Sequence, residues 1–405
     1  MFRTESIHKK NETEYLDDMI RRVLHTPEAC TLADALLAGA AESEPLIADA
    51  LQAPQDIRYH AEGPFVHAHV RNMLCVLYAI QKEQLHLIDI EEFRRLKGFE
   101  GEIDELEETI KENIGLFEVF ALMHDAAKWA CVVFSAPIGS RGEQLGFNAP
   151  LTYEFDVDAK RRAELRDAYR ELFHEFSVAH PNESAMAIEK RFHEIYRIDV
   201  HYPHHAEMIY TPVYSSLLDR FCAAHRLPAR DRNMLEDLIG NHMKFNDDFL
   251  QVKPNKINRF VHLANKRGYD SDDFIDLLQG CLFFDMVCGS CTSTERGCTH
   301  DASPLVHCFK SEHDFAPERR LEKETLRQYD ALRKRNQAFQ QVGLDGVALL
   351  ELLEMEPGPA FGKLLRQIQS AVIGEDLMPK IDPKHKKELE TRIGRYYQIV
   401  FKTGV

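Results

Sequence analysis

An all-α fold is predicted for this chain by three observations. Apolar residues recur at the helical spacing of three and four along most of its 405 residues. Good helix formers fill those same segments. Alternating apolar and polar runs, which mark half-buried strands, are scarce.

In chain order, helices are predicted over residues 13–24, 32–52, 69–85, 102–128, 158–178, 213–226, 231–243, 271–288, 318–340, 346–354, 361–372 and 384–400. One short extended piece is expected near Arg197–His201, with no sheet of useful size. Pro54 precedes the stretch DIRYHAEGPFVHAHV, residues 135–157 are rich in Gly, Pro and Asn, and 289–317 mixes Gly, Ser, Thr, Pro and Cys without periodicity. These breaks divide the chain into an N-terminal helical segment (1–55), a large central domain (56–310) and a helical tail (311–405).

Composition narrows the function classes. An apolar content of 44% is ordinary for a globular protein. No run approaches the roughly 18 apolar residues of a membrane span, and the first residues lack an apolar stretch after their charges, so a cytoplasmic location is expected. Nine cysteines argue against a disulfide framework in such a chain. The net charge of −16 disfavours a general nucleic-acid binder, because phosphate-backbone affinity comes chiefly from Lys and Arg. The charge is uneven, however. Residues 318–405 hold 16 Lys and Arg against 13 Asp and Glu, a net of +3, which leaves −19 for the first 317 residues. Only the tail is suited to meeting a polyanion such as RNA.

Six residues carry candidate chemistry. In FEVFALMHDAAKW a strongly apolar lead ends at the adjacent pair His124 and Asp125. Asp125 has two carboxylate oxygens, which suits a residue that bridges two cations. His69 begins the apolar stretch HVRNMLCVLYAI, His205 stands in YPHHAEM, His242 lies in LIGNHMKF and Asp285 interrupts CLFFDMV. Each is a polar residue set into a segment otherwise suited to the core, where an unpaired imidazole or carboxylate is costly. A single such His is usually a hydrogen-bonded core residue. Six together, as His, His-Asp, His, His and Asp on separate segments, point to a metal site.

That order resembles the HD superfamily of metal-dependent phosphohydrolases, over roughly Tyr59 to Ser290. The resemblance implies a helical-bundle core with helical insertions, one or two metal ions on His69, His124, Asp125, His205, His242 and Asp285, and hydrolysis of a phosphate ester. The flanks favour His69 over His67 and His205 over His204, with His67 and His204 as second choices. Lys128, three residues after Asp125, matches a Lys that often follows the pair in the family and is suited to holding a phosphate oxygen. The catalytic set implied is therefore Asp125, Lys128 and His124. Four imidazoles suit manganese, iron, cobalt or nickel better than magnesium. About 55 residues separate His69 from the pair and about 80 separate Asp125 from His205, so helical insertions are expected to shape the substrate mouth.

The tail carries a second resemblance. GLDGVALLELLEMEPGPAFGKLLRQIQSAVIGED is similar to the C-terminal segment of bacterial tRNA nucleotidyltransferases, through Pro357, Gly358, Pro359 and Gly362. The nucleotidyl-transferring head, with its Gly-rich segment and paired acidic residues, has no counterpart here, so nucleotide addition is not expected. Together the two resemblances imply a phosphomonoesterase or phosphodiesterase acting on nucleotides or RNA-end phosphates, with RNA contact through the tail. Two rival classes remain: an HD-type di-iron oxygenase, and an RNA-binding module with a structural metal site. In the Cys-rich stretch, the gap between Cys288 and Cys291 suits zinc, and Cys298, His300, His307 and Cys308 follow. A structural zinc on Cys288, Cys291, Cys298 and Cys308 is a secondary expectation, and reduced cysteines in a loop are the plainer one.

Overall fold

The structure is a computed structural model that describes residues 26–60, 62–90, 93, 98–148, 159–250, 256–289, 302–312 and 346–372, with Lys387 and Thr391. The predicted helices over 13–24, 318–340 and 384–400 fall outside these residues or touch them only at Lys387 and Thr391. The chain divides into two units, residues 1–313 and 314–405. Helices dominate the described residues of both, in keeping with an all-α fold.

The helices of the first unit include α1 (Pro27–Ser43), α2 (Val66–Gln81), α3 (Glu100–Glu112), α4 (Ile114–Met123), α5 (Ala159–Ala179), α6 (Ala185–Tyr196), α7 (Pro212–Ala224), α8 (Ala229–Leu250), α9 (Lys256–Arg267) and α10 (Ser271–Val287). The organising element is α4. Its sequence IGLFEVFALM is apolar nearly all round, which suits a helix enclosed on every side. Leu116, Phe117, Val119, Phe120, Ala121, Leu122 and Met123 are accordingly buried, and α2, α3, α7, α8 and α10 all pack against it. Phe117 meets Phe284 of α10 at a ring-centroid separation of 5.3 Å. At Gly280 of α10 a Cβ would come within 2.3 Å of Phe117 Cζ, so a residue without a side chain is what lets the two helices approach this closely.

A second apolar cluster belongs to the insertion between Asp125 and His205. Strand β1 (Val133–Ser135) pairs antiparallel with β2 (Asp199–His201), in the register Phe134 opposite Val200. Phe134, Phe147, Tyr169, Phe173, Phe176, Phe192 and Tyr196 form an aromatic core beneath this ribbon, with α5 and α6 supplying most of it.

Several boundaries differ from the sequence expectation. The single helix predicted over 102–128 breaks at Asn113 (φ −118°, ψ 33°), and its second part ends at Met123. The extended piece near Arg197–His201 is the strand β2, whose partner lies at the edge of a region read as irregular. Helices absent from the sequence expectation include α6 and α9, the turn of helix Arg141–Gln144, and residues 303–312 within the stretch read as lacking periodicity. The first has a sequence signal, since Ser184 caps it and its Oγ accepts the Ala187 N–H at 3.3 Å.

The second unit contains α11 (Gly346–Leu353) and α12 (Pro359–Val372), which contact each other. Pro359 opens α12, where its fixed φ and missing N–H cost nothing, and the Gly362 N–H donates to Gly358 O at 2.9 Å. No helix among the described residues is long and apolar enough to cross a membrane.

Candidate metal centre

Packing around α4 determines where the six polar residues meet. His124 follows the last residue of that helix, and its N–H still donates to Phe120 O at 2.9 Å. Beyond it the chain leaves α geometry: the Ala126 N–H donates to Met123 O at 3.1 Å and Lys128 N–H to Asp125 O at 2.9 Å, three residues back in each case. This tighter winding carries His124 and Asp125 at the mouth of the helix rather than along its side. His69 stands on α2, His242 on α8 and Asp285 on α10, and all three helices touch α4. His205 sits just before a 3-10 turn (Ala206–Tyr210) that packs on α8. All six side chains are buried.

The separations describe one cluster. His124 Nε2 lies 3.3 Å from Asp125 Oδ2 and 4.0 Å from Asp285 Oδ1. His69 Nε2 lies 3.6 Å from Asp285 Oδ1. On the other side of Asp125, its Oδ1 is 3.4 Å from His205 Nε2, which is 3.1 Å from His242 Nε2. Two ligand groups result, His69 with His124 and Asp125, and Asp125 with His205 and His242, each with donor atoms mutually within 4.8 Å. Asp125 belongs to both.

Backbone carbonyls fix the imidazole tautomers. His124 Nδ1 faces Phe120 O at 3.2 Å, a carbonyl that also accepts the His124 N–H, and Ala121 O at 3.1 Å. His205 Nδ1 faces Tyr202 O at 2.9 Å, and His242 Nδ1 faces Ile239 O at 2.7 Å. A carbonyl only accepts, so each Nδ1 is the protonated nitrogen and each neutral ring turns the Nε2 lone pair into the cluster. His69 and His124 leave Nε2 buried without a hydrogen-bond partner. Asp285 is oriented likewise: Asn246 Nδ2 donates to its Oδ2 at 2.7 Å, leaving Oδ1 toward the histidines. Lone pairs aimed at a common space with their outer atoms secured are what a transition-metal site requires. The residues therefore fit one or two such cations.

Two neighbours were not singled out from the sequence. Glu62 Oε1 lies 2.9 Å from His69 Nδ1, though out of line for a good hydrogen bond, and 3.1 Å from His60 Nδ1. His60, Glu62 and His69 form a third group of closely placed donors. Both residues lie in YHAEGPFVHAH, where a Glu beside two His was the available signal. The less favoured duplicates lie elsewhere: His67 is exposed, and His204, also exposed, adopts φ +59°.

Charge in the cluster is mutually set. Burial opposes the charged form of Asp285, yet His69, His124 and His242 hold its carboxyl far below the usual range. Burial likewise opposes ionised Asp125, and the adjacent His124 and Lys128 overcome it. His69 is penalised as a cation by burial, but Asp285 and Glu62 hold its pKa up to about 9. His242, penalised by burial and by His205, is pushed down to about 4. Lys128 is buried, with Nζ 2.7 Å from Asp125 Oδ2 and 4.9 Å from the centroid of the Tyr202 ring.

A cavity of about 370 Å³ opens onto this cluster, with Asp125, Lys128, His205, His242 and Asp285 in its wall. Of the cysteine set, Cys291 and Cys298 lie outside the described residues. Cys288 and Cys308 are buried, and burial pushes both thiols well up.

Comparison with protein-family models, with curated proteins and with solved structures returns no match to this chain.

Proposed function

We propose that the protein is a metal-dependent phosphohydrolase of the HD type, a phosphomonoesterase or phosphodiesterase acting on nucleotides or RNA-end phosphates. The observation that carries this reading is the sharing of Asp125: one carboxylate oxygen faces His124 and the other faces His205, each within a separate His-carboxylate group. A residue so placed suits a pair of divalent cations of the manganese, iron, cobalt or nickel type. Such cations supply an activated water at neutral pH and positive charge for phosphoryl oxygens.

The chain's own residues do the rest. His124, His205 and His242 present neutral Nε2 donors, His69 joins them on losing its proton, and Asp125 and Asp285 supply the anionic ones. Asn246 and the carbonyls of Phe120, Tyr202 and Ile239 hold these donors in one orientation. Lys128, the cation nearest the cluster, is positioned to bind a phosphoryl oxygen and to stabilise the charge that builds there during attack. The buried setting strengthens each of these contacts by excluding water.

Metal analysis of the purified protein, followed by a panel of phosphomonoesters, 2′,3′-cyclic nucleotides, nucleoside triphosphates and cyclic dinucleotides, tests the reading. Turnover that depends on bound metal and disappears in a folded Asp125→Asn variant is expected. Full turnover in that variant, or a protein that binds no transition metal, overturns the proposal.

A further inference from the structure

The cavity that opens onto the cluster is poor in positive charge. Among the described residues, Lys128 is the sole Lys or Arg in its wall. Two further carboxylates line it beyond Asp125 and Asp285. Asp56 is already paired, with Arg58 Nε at 2.9 Å and Nη2 at 2.5 Å. Asp247 is exposed at the mouth and has no ion-pair partner among the described residues. Its neighbour Asp248 takes the nearby cations, Lys256 and Arg259.

Apart from His60, His201 and Asn246, the remaining wall is apolar and aromatic. Tyr59, Tyr202, Met243 and Met286 line it, with Tyr59 and Met243 40% and 43% exposed where the cavity meets solvent. Flat rings and adaptable thioethers suit a planar, weakly polar group such as a nucleobase. The volume of about 370 Å³ lies at the small end of ligand pockets, which run from roughly 300 to 1,000 Å³.

Resting on the phosphohydrolase reading, we infer that the substrate is a free nucleoside monophosphate, and that polyphosphate chains and phosphorylated RNA ends are rejected by the acidic mouth. The charge count supports this choice. Two divalent cations and Lys128, set against Asp125, Asp285 and the ionised Glu62, leave an excess of positive charge that one phosphomonoester dianion balances. An additional phosphate of a di- or triphosphate that reached the mouth would meet Asp247, where among the described wall residues no Lys or Arg is placed to pair with it. A polynucleotide would in addition approach a body that carries −19 over residues 1–317. In the reaction, water's oxygen bonds to phosphorus, the ester P–O bond breaks, and the water's proton ends on the leaving nucleoside oxygen.

The test uses the full chain loaded with Mn²⁺, its metal content measured first. Calorimetric titrations with inorganic phosphate, AMP, ATP and a 5′-phosphorylated octaribonucleotide read out binding in the folded Asp125→Asn variant where that variant retains metal, and at low temperature in the wild type otherwise. AMP is expected to bind at least tenfold more tightly than ATP or the oligonucleotide, and Asp247→Lys to shrink the AMP-to-ATP ratio at least fivefold at unchanged metal content. ATP or oligonucleotide binding equal to AMP, or a ratio unmoved by Asp247→Lys, overturns the inference while leaving the hydrolase reading intact. Absence of bound metal, or of any phosphate-dependent heat from the loaded protein, defeats the hydrolase reading itself and this inference with it.

Discussion

His205 and His242 turn their Nε2 atoms toward each other at 3.1 Å, while each ring gives its Nδ1 proton to a backbone carbonyl. Two neutral rings in this arrangement confront lone pair with lone pair, which only a proton or a metal cation between them relieves. Burial opposes the proton, since His242 is pushed down to about 4. A cation is therefore the better partner, and removing it should expose the repulsion. Chelation is expected to lower the melting temperature, and Mn²⁺ or Co²⁺ at about 100 times Kd to add about 2.7 kcal/mol of stability. Thermal melts with and without chelator check this; identical melts in both conditions would count against a metal at this pair.

Glu62 acts on the other half of the cluster. Its carboxylate lies 2.9 Å from His69 Nδ1 and, despite burial, is held well below the usual range by His60 and His69. A carboxylate behind a metal-binding imidazole raises its basicity and fixes its orientation. Glu62→Gln is expected to weaken metal binding about 10- to 100-fold with little loss of helix content. Competition with a chelating dye measures this, and wild-type affinity in the variant would remove Glu62 from the site.

How much of this was legible beforehand depends on the kind of signal involved. His69, His124, Asp125, His205, His242 and Asp285 stood out because each interrupts an apolar run, and apolar runs are what fold into a core around α4. Glu62 and His60 sit in a loop without periodicity, where a polar residue is unremarked. The break of the predicted 102–128 helix at Asn113 and again at Met123 was equally hidden, because the flanking residues favour helix and tertiary packing decides where it ends. The ribbon of β1 and β2 depends on a pairing across 66 residues, from Phe134 to Val200, which no local pattern specifies.

The two displaced histidines predict opposite arms in a pH profile. For His69, the folded-state pKa of about 9 exceeds the unfolded value, so its contribution to stability is complete below about 6.5 and is lost as pH rises through 9. For His242, the folded value of about 4 lies below the unfolded one, so its contribution is present above about 6.5 and is lost as pH falls toward 4. In metal-free protein the contributions of these two histidines should thus be greatest together near pH 6.5. Metal binding requires neutral His69, so affinity should rise up to about tenfold per pH unit between about 6.5 and 9, with release of a proton. Titration calorimetry in buffers of different ionisation enthalpy detects that proton; a pH-independent affinity would contradict the assignment.

Lys128 separates charge stabilisation from metal retention. Its ammonium contacts Asp125 Oδ2, and its side chain lies against the Tyr202 ring. Lys128→Met preserves most of the packing volume and removes only the charge. A loss of about 100- to 1,000-fold in kcat, the size seen when one stabilising donor is removed, is expected with metal content retained. Loss of metal in step with activity would instead make Lys128 a support for Asp125.

Gly280 tests whether helix spacing governs the cluster. A Cβ there would sit 2.3 Å from Phe117 Cζ, inside a buried contact between α10 and α4. Gly280→Ala is expected to push α10 from α4, and Asp285, five residues further along α10, to move with it away from His124, now 4.0 Å distant. Overpacking of this kind costs about 1–3 kcal/mol, and metal affinity should fall in parallel. Trimming the obstruction should reverse both effects, so Phe117→Leu placed on the Gly280→Ala background is expected to recover stability and metal binding together. Recovery of the melting temperature alone would show that Asp285 keeps its place independently of the α4–α10 contact.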